Sequence, residues 1–455
     1  MVDSTLVILP RALTIAGSDS GGGAGIQADL KTFAALGVHG LCAVTAVTAQ
    51  NTRTVTSVQN IDAQVIKAQI DAVVSDIGVD AAKTGMLNTS ETIHVVAEEI
   101  RKHNIRTVVD PVMVTKSGTK LLRDDAVATF IEELLPSAFV ATPNAPEATV
   151  LSGLRVDSVE DAKEAARIIS SIGPKAVVVK GGHIPYNGKV ADVLYVDGEY
   201  HLFEAEKLPV RTTHGTGCTF SSAITAYLAR GELLSEAVKK AKAFVLDAIR
   251  FGISIGEGAG PVNPMASIYR ESEKIKVLLN VAEAISLLES SPLVWKVIPE
   301  VNSNICMALE YAVDFTDVVA IPGRISRIGT RVKALSCPTF GCSKHVANTV
   351  LVAKAYNPSI RAAMNIKYSE EVLQTISKLG LTISYYDRRK EPSEVKAKEG
   401  MTTRWGAEEA IKNSVKFPDV IYHDGDWGKE AMITILGKDA VTVAKTVIQV
   451  ANMLE

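Results

Sequence analysis

A chain of 455 residues is long enough for two or three domains, and 47 % hydrophobic with 22 % charged residues is ordinary for a folded globular protein. The 48 basic and 51 acidic residues leave a net charge of −3 with no long block of one sign, which argues against nucleic acid or an anionic membrane and for small-molecule partners. No apolar run approaches the roughly 18 residues of a membrane span, Val2–Pro10 has neither a basic leader nor a cleavage pattern, and five scattered cysteines do not form a disulfide framework; a cytoplasmic protein is expected.

In chain order, the first half alternates short apolar runs with helical periodicity. Ala12–Ala16, Val79–Lys83, Arg106–Asp110, Ala138–Ala141 and Ala176–Lys180 read as strands, with helix-like Ile26–Leu36 and Ala63–Ser75 between them. That rhythm predicts a mostly parallel α/β sheet with helices on both faces. Glycine-rich AGSDSGGGAGIQADLKTF (Ala16–Phe33) follows the first strand, yet it fits neither the Rossmann spacing nor a P-loop, and a flexible turn would also account for it. DPVM (Asp110–Met113), KSG (Lys116–Gly118), TPNAPE (Thr142–Glu147) and VKGGH (Val179–His183) sit at or just after strand ends. They supply carboxylates for Mg²⁺ and cations for phosphate oxygens, the inventory of phosphoryl transfer.

THGTGCTFSSA (Thr213–Ala223) resembles a phosphate cradle, with Gly215–Gly217 bringing backbone N–H groups forward and a helix expected over Thr219–Arg230. Cys218 stands at the helix mouth, where a kinase that deprotonates a hydroxyl would more readily place a carboxylate. A thiol beside a helix N-terminus can have its pKa lowered from about 8.5 to roughly 3.5–7.5, so Cys218 is expected to be a thiolate base; an inert buried thiol is the alternative.

IGEGAGPVNPMAS (Ile255–Ser267) packs in Gly and Pro without apolar period and reads as a linker. Beyond it, Glu271–Leu288 is an amphipathic helix, and from Leu293 a second α/β pattern runs on, with helix-like Lys344–Ala355 and Val441–Leu454 and strand-like Arg361–Lys367 and Leu381–Tyr386. Ile321–Val350 brings Arg324, Arg327 and Arg331 together and puts His345 at the start of a helix, a density suited to phosphate and pyrophosphate. YYDRRKEP (Tyr385–Pro392) and YHDGDWGKE (Tyr422–Glu430) add Asp387, Arg388, Asp426 and Lys429 at strand ends; surface ion pairs are the plainer reading of such residues singly. Cys337 and Cys342 lack a second ligand pair and read as structural thiols.

The motifs of Arg11–Pro264, namely AGSDSGGGAGIQAD, TAVTAQNT, KTGML, DPVM, TPNAPE, VKGGH and HGTGC, resemble in order and spacing the hydroxymethylpyrimidine and phosphomethylpyrimidine kinases of thiamine biosynthesis, which have a ribokinase-like fold. The resemblance implies ATP and Mg²⁺ as cofactors, a homodimer, and two successive phosphorylations of a pyrimidine alcohol. It further implies pyrimidine contacts from Gly17, Asp29, Gln50, Met86 and Val112. Lys180, Thr213, Gly215, Thr216 and Gly217 would hold ATP phosphates, Asp110 and Glu147 the metal or its waters, and Cys218 the hydroxyl proton. Leu293–Glu455, through IPGR, RIGTRV, FGCSKHVA, YYDRRKEP and DGDWGKE, resembles the thiamine-phosphate synthase domain found fused to such kinases. That resemblance implies a three-layer α/β/α domain joining the pyrimidine diphosphate to a thiazole phosphate, with Arg324 and His345 catalytic. The expected domains are 11–265 and 271–455. Two other readings stay open: a thiamine-phosphate-sensing second domain, and a pyridoxal-type kinase in the first.

Overall fold

Runs such as ALTIA, AVVV and TVV are too short for helices and too apolar for loops, and each becomes a strand covered on both faces. In the computed structural model, which describes residues 8–114, 121–182, 184–396, 401–426 and 429–454, the first sheet has nine strands. They are β1 (Arg11–Asp19), β2 (His39–Gln50), β3 (Val55–Asn60), β4 (Ala81–Thr84), β5 (Thr107–Val109), β6 (Val140–Ala141), β7 (Ala176–Val179), β8 (Lys189–Val196) and β9 (Glu199–Glu206). Their order is β3-β2-β1-β4-β5-β6-β7-β8-β9, with β2 to β7 along that order parallel and β3, β8 and β9 antiparallel at the two edges.

Side chains alternate between two cores. Val109, Val177 and Val179 pack on one face with α2 (Ala63–Asp76) and α3 (Ser90–Lys102), which follow α1 (Gly25–Ala35) in the chain. The next two helices, α4 (Ala145–Ser152) and α5 (Val159–Ser170), cover that same face. Val108 and Val178 point the other way, onto α6 (Thr216–Ala229) and α7 (Leu234–Arg250). The parallel strands therefore deliver their carboxyl ends, Asp19, Gln50, Thr84, Asp110, Thr142 and Lys180, to one edge of the sheet, where open α/β folds bind ligands.

Chain contacts divide the molecule into two compact units, Met1–Ser267 and Ile268–Glu455. The second holds a seven-stranded sheet, introduced in chain order as β10 (Ile305–Ala308), β11 (Val318–Ala320), β14 (Thr339–Phe340) after the separate hairpin β12 (Ile325–Ile328) and β13 (Arg331–Ala334), then β15 (Ala362–Lys367), β16 (Ile383–Tyr385), β17 (Val420–His423) and β18 (Met432–Gly437). All pairings in it are antiparallel except β16 with β17. Ile305 and Met307 face one core with α8 (Ala266–Ser290), α10 (Glu370–Lys378) and α12 (Ala440–Met453). Cys306 and Ala308 face the other with α9 (Lys344–Tyr356) and α11 (Met401–Lys412), completing three layers.

The linker expectation is corrected. Gly260 to Pro264 are buried, Ile253 and Val262 bond Pro261 and His214, and Asn263 N–H donates to Ala248, so most of Ile255–Ser267 is an ordered loop of the first unit. Gly and Pro serve close packing here: a Cβ at Gly258 would lie 1.9 Å from the carbonyl oxygen of Thr52. The edge strands β3 and β8–β9 had no clear sequence signal, since five of the six β3 residues are exposed and show no apolar alternation.

Candidate active sites

A cleft of about 420 Å³ opens at the ligand edge of the first sheet. Gly17, Gln50, Met86, Val112, Asp110, Glu147, Lys180, Thr213, Gly215, Thr216, Gly217 and Cys218 all line it. Lys116–Gly118 and His183 lie outside the described residues, as do Trp427 and Gly428 of the second unit.

Asp29, expected at the pyrimidine, does not line the cleft. It is fully buried beneath it, 3.0 Å through both oxygens from the equally buried Lys83 Nζ, and accepts from Thr14 Oγ1 and Ser222 Oγ, each at 2.6 Å. A carboxylate on a helix after a glycine loop reads as a ligand contact, yet its register on α1 turns it inward to a lysine more than fifty residues away.

Ser221 and Ser222 of α6 fasten two parallel Asp–Lys pairs. Ser221 Oγ donates to Asp110 at 3.1 Å, and Asp110 also accepts from Lys180 Nζ at 2.8 Å and Thr142 Oγ1 at 3.3 Å. Burial pushes the Asp110 carboxyl up, but Lys180 and Lys83 outweigh it and hold it below the ordinary range. Lys180 in turn is pushed down by burial and raised further by Asp110 and Glu147. Glu147 caps α4 in a reciprocal box with Asn144, and burial, with the nearby Asp110 charge, raises it despite Lys180. Asp110 and Glu147 are thus two buried carboxylates, oxygen donors of the kind a divalent cation takes.

Gly215 has φ 77°, and a Cβ there would lie 1.8 Å from the carbonyl oxygen of Gly23, so the two glycine loops touch backbone to backbone. As N-cap of α6 it offers no side chain, and the first turn carries no acidic residue, leaving its N–H groups to an anion. Thr216 Oγ1 is turned back onto Thr213 O at 2.8 Å. Val190, Ala205, Leu208, Phe220, Val245 and Ile249 give the cleft apolar lining.

Cys218 is partly open to the cleft; burial first of all, then the Asp29 and Asp110 charges, outweigh Lys83 and the Gly25 amide and push its thiol up to about 11, the direction opposite to that expected from its place at the helix N-terminus. Sequence reasoning also missed Asp19 and His214, which join the two loops with Nε2 3.0 Å from Oδ2; only their adjacency to the glycines hinted at it.

In the second unit a cleft of about 480 Å³ brings together Arg324, His345, Asn302, Asn304, Cys342 and Ser343. Arg324, Asn302 and Ser343 have φ of 74°, 65° and 56°, a cluster of left-handed non-glycine backbone of the kind found at functional sites. The Arg324 guanidinium donates to Val301 O. Asn304, 2 % exposed, braces the loop by exchanging hydrogen bonds with Ile321 at 2.8 and 3.0 Å. His345 is in the first turn of α9, whose N-cap Ser343 gives no side-chain cap.

The remaining synthase candidates lie outside this cleft. Arg327 stacks on Trp295 at 4.4 Å and Arg331 is exposed on the same hairpin. Asp387 pairs with Arg389, which holds it low, Asp426 and Lys429 bridge through their backbones, and Arg388 helps burial drive His423 down to about 4. Glu430, unforeseen, accepts from the amides of Glu300 and Val301 at 3.0 and 3.1 Å and so supports the Arg324 cleft.

A family model described as phosphomethylpyrimidine kinase matches residues 19–263, and one described as thiamine-phosphate synthase ThiN matches residues 280–449. The hydroxymethylpyrimidine/phosphomethylpyrimidine kinase of Rhizobium meliloti is 52 % identical over 257 residues, 55 % of this chain and 96 % of that protein. The thiamine biosynthesis bifunctional protein ThiED of Geobacter sulfurreducens is 47 % identical over 252 residues, 55 % of this chain and 51 % of its own length. Among solved structures, Bacillus subtilis pyridoxal kinase with ADP is 41 % identical with TM-score 0.54, covering 57 % of this chain and 99 % of its own. The Staphylococcus aureus pyridoxal kinase with AMP-PCP and pyridoxal is also 41 % identical, with TM-score 0.53, covering 57 % and 94 %. Among the described residues no helix is long and apolar enough to cross a membrane.

Proposed function

Since the chain belongs to the phosphomethylpyrimidine kinase family and carries a thiamine-phosphate synthase domain beside the kinase domain, we propose that its two clefts act in turn, the first making the pyrimidine diphosphate and the second condensing it with the thiazole phosphate. It is a bifunctional transferase of thiamine biosynthesis with a ribokinase-like first domain that uses ATP. The domains are proposed to run over 11–265 and 271–455.

One observation supports the kinase reading above the rest: a bare helix N-terminus, a thiol, the Asp110–Lys180 pair and Lys83 converge on one cleft. The N–H groups after Gly215, with Lys180, would neutralise transferring phosphates, and the apolar lining would take the adenine. Asp110 and Glu147 would hold Mg²⁺ directly or through water, and the ion would neutralise charge developing on the phosphates. Gln50, an amide that both donates and accepts, suits a ring nitrogen and its exocyclic amine, with Gly17, Met86 and Val112 around the ring. Cys218 would take the hydroxyl proton, as the minor thiolate of a high-pKa thiol. In the second cleft Arg324 would stabilise departing pyrophosphate, and His345 would contribute charge or a proton to a phosphate. A homodimer is part of the proposal.

Supplying the pyrimidine alcohol, Mg-ATP and thiazole phosphate together tests it: thiamine phosphate is expected, and diphosphate accumulating without condensation would reduce the second unit to a sensor. Likeness to pyridoxal kinases favours pyridoxal as a second substrate of the first cleft. A substrate panel ranked by kcat/KM decides between the rings.

A further inference from the structure

Four segments distant in sequence meet at His214. Its backbone N–H donates to Gly260 O at 3.1 Å and its carbonyl accepts from Val262 at 3.0 Å, fixing it to the buried 260–264 loop. Its Nε2 lies 3.0 Å from Asp19 Oδ2 and 3.3 Å from Gln50 Nε2. Asp19, 4 % exposed, accepts the amides of Gly21 at 2.8 Å, Gly23 at 3.0 Å and Ala24 at 2.8 Å, so the first glycine loop is wound around its carboxylate. Gly23 itself lies against the imidazole: a Cβ there would be 2.4 Å from His214 Cδ2. The residue after His214 is Gly215, packed on Gly23 O and leading into the bare N-terminus of α6.

Burial pushes Asp19 up, but His214 and the loop amides outweigh it and hold the carboxyl below its ordinary range. An ionised carboxylate only accepts, so His214 Nε2 carries a hydrogen and donates it to Asp19. That hydrogen is engaged. The Gln50 N–H₂ beside the same nitrogen therefore finds no acceptor there, and the other side-chain contact of Gln50, Thr48 Oγ1 at 3.3 Å, is long. The imidazole edge thus limits where the Gln50 amide can lie by contact at 3.3 Å, with no hydrogen bond between them.

We propose that His214 is a positioning and specificity-determining residue for the kinase reaction: through Asp19 and Gln50 it ties the loop gripping the pyrimidine to the loop gripping the phosphates, so that filling either one preorganises the other. This rests on the reading of Gln50 as a pyrimidine contact and of Gly215–Gly217 as the phosphate cradle.

The test is the linkage between two ligands in the full-length protein. The dissociation constant of AMP-PCP is measured with and without the pyrimidine alcohol, and that of the alcohol with and without AMP-PCP. In the unmodified protein each ligand should tighten the other by the same factor, about 5-fold or more, because coupling is reciprocal. His214→Leu should bring that factor to about one and weaken the alcohol by roughly tenfold, while His214→Gln, which keeps a donor for Asp19, should recover much of both. Asp19→Asn, disturbing the same pair from the other side, should also reduce the factor and serves if His214→Leu does not fold. Undiminished coupling in folded His214→Leu or Asp19→Asn overturns the proposal, as does absence of coupling in the unmodified protein. Gln50→Ala separates the premise from the inference: if it leaves alcohol affinity unchanged, the pyrimidine pocket is elsewhere, and the AMP-PCP linkage still decides on His214.

Discussion

The two clefts differ in how they treat charge. The first mixes buried carboxylates with buried lysines: Asp110 is held by Lys180 and, beneath the cleft, Asp29 by Lys83, both tethered to α6 by a serine. The second, among the described residues, is lined by Arg324, His345, two asparagines and small or apolar residues, with no carboxylate. A site that must hold a polyanion together with a divalent cation needs both signs and must keep them apart, whereas a site that only draws off an anionic leaving group needs donors and a cation. The strain is distributed to match. Left-handed non-glycine backbone gathers around Arg324 and Ser343, while in the first cleft most positive-φ positions of the two loops are glycines and Val112, at φ 35°, is the exception.

The largest expected effects break this comparison in half. Cys218→Ala should lower kinase kcat by about 10² to 10⁴ yet leave condensation of supplied diphosphate intact, and Arg324→Ala should lower condensation by about 10² to 10⁴ with diphosphate formation within a few-fold. A mutant that loses both activities while remaining folded by circular dichroism would mean one composite site. The two Asp–Lys pairs should also part company. Lys83→Met strands a fully buried carboxyl and should cost about 3–5 kcal/mol, read as a lowered denaturation midpoint, whereas Lys180→Met should chiefly raise KM for ATP. Asp29→Asn should leave the KM for the pyrimidine within about twofold; a larger rise would restore its contact with the ring.

A third expectation concerns the Cys218 thiol. With the thiol pushed up to about 11, the thiolate is scarce at neutral pH and grows as pH rises. If it takes the proton, kinase kcat should climb up to about tenfold per pH unit between roughly pH 7 and 9, a slope absent from Cys218→Asp. A flat profile for the unmodified enzyme would remove Cys218 from the proton path. The smallest effect is at Gly217, where an added Cβ meets only Lys180 Nζ at 3.5 Å and Asp110 Oδ2 at 3.8 Å. Gly217→Val should raise KM for ATP by about tenfold, with little change in thermal midpoint.

Local pattern alone settled much of this protein. Apolar runs placed β1, β4, β5, β6, β7 and β15 within a few residues of where they form, and periodicity placed α1, α2, α8, α9 and α12, because burial on both faces or on one stripe writes itself into the order of side chains. The clustering of Asp110, Glu147, Lys180 and the 215–217 loop was legible for a related reason: parallel strands must all present their carboxyl ends on one edge. What the order of residues could not carry was direction and dielectric. Asp29 turns inward because Lys83, Thr14 and Ser222 meet it there, and the Cys218 thiol is pushed up because burial and the Asp29 and Asp110 charges outweigh Lys83 and the Gly25 amide. Ile255–Ser267 looks like a tether until Pro261 pairs with His214, and nothing in the order of residues announces that Arg327 lies on Trp295. Each of these depends on a partner brought close only by the folded chain, and an electrostatic or packing energy that varies with distance and surroundings has no value until those are fixed.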